Sequence, residues 1–130
     1  MKTFRWFLLF IAWISLACIR LAAQIGGSDP IESYVARLSA RDHFNSSGQR
    51  LQSPAAIIRQ DRANYYAYGY RDAEDEPDQF FSNKANRARL ERLLEGGTTT
   101  PEARQLIVNG TPLIRVDVYP NFVNVTILSR

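Results

Sequence analysis

Past Asp29 the apolar residues recur three or four apart, and only from Leu113 onward does that rhythm give way to strict alternation. Asp29-Pro30-Ile31-Glu32 has the composition of a helix start: a capping carboxylate, a proline suited to the first helical position, and a glutamate three residues past the cap. Ile31, Tyr34, Val35 and Leu38 then form one stripe, which predicts a helix over about residues 30–40. Ser53-Pro54 repeats the device ahead of Ala55-Ala56-Ile57-Ile58. It predicts a second helix reaching about Tyr68, where Gly69 is free to adopt the left-handed conformation that ends helices. A third helix is expected from Ser82 or Asn83 to Glu95, burying Leu90, Leu93 and Leu94 and stopped by Gly96-Gly97. Thr100-Pro101-Glu102 opens a short helix to about Val108, ended by Asn109-Gly110. Asn45-Ser46-Ser47-Gly48 is turn chemistry, and the acidic stretch 71–79, with Pro77 inside it, reads as a loop.

The alternating segment pairs with itself. With Pro120 and Asn121 in the turn, Val118 faces Val123, Val116 faces Val125 and Ile114 faces Ile127, while Asp117 meets Asn124 and Arg115 meets Thr126 on the other side. Proline cannot supply the positive φ of the favoured two-residue turns, so the loop is expected to widen to Tyr119 through Phe122 without changing the register. An isolated hairpin is barely stable, so its Ile/Val face must pack on the helices. The fold class that follows is α+β: a single domain over 29–130, with three to four helices packed against a C-terminal antiparallel β-hairpin.

Residues 1–23 read differently. Lys2 and Arg5 precede an apolar run from Trp6 to Ala17, and small residues follow at Ala22 and Ala23, which is the layout of a cleavable signal peptide; 24–28 is then a flexible linker. The expected location is periplasmic or secreted. A lipid on Cys18 or retention of the leader as an anchor are the alternatives, although the run between Arg5 and Arg20 is shorter than the roughly 20 residues that span a bilayer. The leader also changes the charge picture. The whole chain has a net charge of +3, but Lys2, Arg5 and Arg20 lie ahead of the cut, so the remainder has equal numbers of basic and acidic residues. A phosphate-tracking, nucleic-acid-binding surface is therefore not expected. Cys18 is the only cysteine, so the mature domain has neither disulfides nor thiolate metal sites.

Candidate chemistry gathers at Arg41-Asp42-His43-Phe44-Asn45, which holds the only histidine. Asp42 falls where the first apolar stripe should continue, and Asp61 interrupts the stripe of the second helix between Ile57 and Tyr65. A carboxylate that orients a histidine is the basis of general-base catalysis, so His43 with Asp42 or Asp61, and Ser46 or Ser47 as nucleophile, would make a hydrolase. No glycine-flanked nucleophile elbow accompanies them. The competing reading is a buried polar network in which Asp42, Asp61, Arg41 and Arg62 satisfy loop amides. Asp72, Glu74, Asp75, Glu76 and Asp78 could supply oxygen ligands to calcium, but the loop lacks the order of an EF-hand, and no cofactor or metal site is assigned. Tyr65, Tyr66, Tyr68 and Tyr70 are dense enough that some look away from the core if the others face it, and an exposed pair would suit a contact surface for a partner or a sugar; the competing reading packs them under the acidic loop with Phe80 and Phe81. The function that follows is a small exported, non-enzymatic binding module whose partner is a protein or cell-envelope component. The hydrolase and the calcium-binding protein stand as alternatives.

Overall fold

The computed structural model describes residues 27–130. The leader, its cut site and Cys18 lie outside the described residues. The chain runs β1 (Glu32–Arg37), α1 (Pro54–Ala63), α2 (Lys84–Ala88), α3 (Leu90–Gly96), α4 (Pro101–Asn109), β2 (Leu113–Val118) and β3 (Val123–Ser129). A 3-10 turn at Ala40–His43 follows β1, and a wide π turn at Asn64–Tyr68 extends α1. The strands form one antiparallel sheet in the order β1-β2-β3. Helices cover one of its faces, which makes the α+β architecture expected from the sequence.

The hairpin has the expected register, from Val118 opposite Val123 to Ile114 opposite Ile127. Tyr119 N–H donates to Phe122 O at 2.9 Å and the two rings stack with centroids 4.3 Å apart, closing the turn around Pro120 and Asn121.

The helix expected over residues 30–40 is instead strand β1. Tyr34, Ala36 and Leu38 are buried in alternation, whereas Ile31, placed on the helical stripe, is 59% exposed. The deciding interaction is non-local. Ile31 N–H donates to Val118 O, and Tyr34 and Ala36 pair with Val116 and Ile114, so the ladder along β2 overrides a local capping signature.

The other helix starts were legible. Ser53 accepts from Ala56 N–H and Thr100 from Ala103 N–H, each ahead of a proline in the first turn. Asn83 caps α2. The expected third helix is broken at Arg89 into α2 and α3, which still bury Leu90, Leu93 and Leu94. Gly69 ends the π turn at φ 72°, in the left-handed region.

The core is the sheet's inner face, with Tyr34, Ala36, Ile114, Val116, Val118, Val123 and Val125, packed against Ile57 and Ile58 of α1, the leucines of α3 and Ile107 of α4. Each large side chain removed from water contributes about 1.5–3 kcal/mol. Gly97 lets α3 approach the sheet closely: a Cβ there would sit 1.7 Å from Val123 O.

The acidic loop closes the outer edge of β1. Val35 N–H donates to Glu76 Oε2 and Glu76 N–H returns a bond to Val35 O, both at 2.9 Å, while Arg37 N–H donates to Asp75 Oδ1 at 2.8 Å. These carboxylates stand where another strand's carbonyls would stand.

Candidate functional site

His43 is 3% exposed and both of its ring nitrogens are engaged: Nδ1 with Ser39 O and Nε2 with Ile107 O, each at 2.8 Å. Both ring nitrogens face backbone carbonyls, so neither is open to a substrate or to a carboxylate. Ile107 O is one of the last carbonyls of α4, left without a helical partner. Arg50 Nη2 reaches the next one, Val108 O, at 3.2 Å. His43 and Arg50 together cap the C-terminus of α4.

Asp42 points away from this ring. Its Oδ2 accepts from Ser39 N–H at 2.9 Å and Ser39 Oγ at 3.1 Å, and its Oδ1 from Asn64 Nδ2 at 2.8 Å. Burial raises its pKa, and the bonds from Asn64 and Ser39 oppose the shift.

Asp61 belongs to a different cluster. Its Oδ2 accepts from Arg62 Nε at 2.8 Å, and Arg62, with no exposed surface, also reaches Asp78 Oδ1 at 3.1 Å and Glu76 O at 2.9 Å. The guanidinium stacks among Tyr34, Tyr65 and Tyr66. Tyr66 OH accepts from Asp78 N–H at 2.5 Å and bonds Asp78 Oδ1 at 2.9 Å. Neither Asp42 nor Asp61 is a hydrogen-bond partner of His43, so the expected base and carboxylates are not brought together. Ser46 lies on the turn beyond Phe44, and Ser47 donates its N–H to Asn45 Oδ1. The buried-network reading holds for Asp42, Asp61 and Arg62. It does not hold for Arg41, which is exposed.

The acidic loop is similarly engaged in backbone and ion-pair contacts. Besides covering β1, Asp75 accepts from Asp72 N–H, Asp78 from Phe81 N–H, and Glu74 pairs with Arg37 at 3.0 Å. Among the described residues no group of three or more His, Cys, Asp and Glu side chains could hold a metal ion. No helix among them is long and apolar enough to cross a membrane.

The tyrosines divide. Tyr65 is buried and Tyr66 is tied to Asp78, whereas Tyr68 and Tyr70 are 55% and 53% exposed. Residues 65 and 68 would share a face of a regular α-helix. The π turn rotates Tyr68 outward, and wide turns of this kind recur at functional sites.

Tyr68 and Tyr70 wall an open recess of about 500 Å³ with Phe44, Arg41, Gln60 and Asn64. The Arg41 guanidinium lies over the Tyr70 ring, 3.9 Å from its centroid. Asn64 links this surface to the interior: it accepts from Gln60 Nε2 at 2.9 Å and donates to the buried Asp42. Phe44, 41% exposed, was missed in the sequence. Its only local signal is an aromatic residue set within the polar run from Arg41 to Gln49. A second recess of about 490 Å³ lies beyond Tyr68, floored by Ala55, Ala56, Ala63, Ala67 and Ala88 of α1, the π turn and α2.

Compared with protein-family models, with curated proteins and with solved structures, the chain matches none.

Proposed function

We propose that this chain is a small exported, non-enzymatic module that binds a protein or cell-envelope component through the face carrying Phe44, Tyr68 and Tyr70. The observation that carries this reading is the clustering of exposed aromatics around one recess. Large apolar side chains left together in water, in a domain whose other apolar residues are mostly buried, are the usual mark of an interaction surface. A rigid support strengthens it, because Asn64 ties the floor of the recess to Asp42 and so fixes the walls. The export half of the reading rests on the leader pattern in the sequence.

Two measurements test it. Intact mass and fractionation of the protein made in its own cells should find the chain outside the cytoplasm, shortened by the leader. Crosslinking in envelope fractions should capture a partner with the wild type that is lost with a Tyr68→Ala/Tyr70→Ala double variant of unchanged melting temperature. A cytoplasmic, full-length chain would overturn the first half. An identical crosslinking pattern for the double variant would overturn the second.

A further inference from the structure

The two recesses adjoin, with Asn45, Gln60 and Tyr68 lining both. We infer that they form one groove for an extended acidic peptide segment, with a bulky apolar side chain seated between Phe44, Tyr68 and Tyr70 and carboxylates lying along the alanine floor beyond. This deepens the binding reading above and rests on it.

Charge is the first argument. Arg41, Arg59, Lys84 and Arg87 line the groove against one anion, Glu91. None of the four cations has a carboxylate within 4 Å among the described residues, although acidic and basic residues are equal in number outside the leader. The carboxylates that could have balanced them are committed elsewhere, to the amides of β1 and to Arg62. Arg87 is the most telling of the four. It lines the second recess, is 8% exposed, and its Nη1 donates to Phe81 O and Ser82 O, so this nearly buried guanidinium is held by neutral carbonyls and by no carboxylate among the described residues.

The second argument selects peptide over sugar. A carbohydrate site needs directed polar groups for hydroxyls, but the amide groups of Asn45 and Asn64 are already bonded to Gln49, Ser47, Gln60 and Asp42. Five alanines line the second recess and let an extended backbone lie close, and its Ser53 and Gln60 are already bonded to Ala56 N–H and Asn64 Oδ1.

Fluorescence anisotropy on the purified protein tests this with three labelled probes: a tryptophan followed by a run of glutamates, the same peptide with lysines for glutamates, and oligogalacturonate as an acidic sugar. The glutamate peptide should bind at least about tenfold tighter than either of the others, and progressively more weakly as salt is raised. Arg59→Glu/Lys84→Glu and Tyr68→Ala should each weaken it by about tenfold or more, whereas Arg92→Glu, on the exposed face of α3, should leave it unchanged. Equal binding of the glutamate and lysine peptides overturns the proposal, as does an affinity indifferent to the charge-reversed pair. Tight, Tyr68-dependent binding of oligogalacturonate alone overturns the peptide class and leaves the binding module standing. No binding of any probe overturns the groove, and crosslinking in envelope fractions then decides the module separately.

Discussion

The guanidinium of Arg62 sits 4.3 Å from the ring centroid of Tyr34, and both side chains are fully buried, yet the Tyr34 hydroxyl and Arg62 Nη2 have no hydrogen-bond partner among the described residues. The ring supplies a cation–π face while the hydroxyl supplies nothing. Tyr34→Phe keeps the first and removes an unsatisfied polar atom, so it should be neutral or stabilising by about 1 kcal/mol. Tyr34→Leu, which removes the face, should destabilise. Urea unfolding of the two variants distinguishes them.

Arg62 itself is the opposite case. Replacing it with Met leaves Asp61 and Asp78 buried without their cation, at a cost of about 3–5 kcal/mol. For a domain of this size that is a large part of the total stability. Adding Asp61→Asn and Asp78→Asn to Arg62→Met should recover part of the loss, measured as the denaturation midpoint.

Burial pushes the Asp61 carboxyl up to about 8, with Arg62 offsetting part of the shift, and burial raises Asp42 and Asp75 as well. A carboxyl that holds its proton more tightly when folded contributes stability that is complete below the ordinary carboxylate range and is lost as pH rises through the folded value. The melting temperature should therefore fall between about pH 4 and about pH 8, and Asp61→Asn should flatten that slope. Glu74, held low by its hydrogen bond from Arg37, has the opposite sign but is exposed and adds little.

Gly97 has φ −109°, which any residue adopts, so its requirement is one of space. A Cβ would collide with the backbone of Val123, which cannot move without breaking the pairing of β3. Gly97→Ala should cost at least about 2–3 kcal/mol by thermal unfolding. Gly69→Ala meets no atom and faces only the left-handed backbone, a cost nearer 1 kcal/mol.

What the sequence made legible is whatever is settled locally or by self-pairing. Ser53-Pro54 and Thr100-Pro101 act within one helical turn, and the hairpin's alternation finds its partner a few residues away. Asp29-Pro30 carries the same local signature but precedes a segment that fits two periods: Ile31, Tyr34, Val35 and Leu38 at helical spacing, or Tyr34, Ala36 and Leu38 in alternation. Only the free edge of β2, some eighty residues on, chooses between them. Asp61 stood out as a carboxylate on the apolar stripe of α1, which identified it as buried, whereas Asp42 is buried although the helical stripe that singled it out is strand β1. Their partners, Asn64 and Arg62, were chosen by the packing of α1 and the π turn on the rest of the fold. The split of the tyrosines depended on that same turn, which no spacing rule anticipates.

The stopper that Asp75 and Glu76 place on β1 also limits how copies of this chain can associate. Growth of a fibre by strand addition needs two open edges per molecule, one to give and one to receive. Here β1 is closed, and the near half of β3 is held by Val125 N–H on Thr98 O and by Thr98 N–H on Asn124 Oδ1. Among the described residues only Thr126 to Ser129 of β3 is left to receive a strand. Edge-to-edge union of the described sheet therefore joins β3 to β3 about a two-fold axis, which consumes both free edges at once and terminates at a dimer.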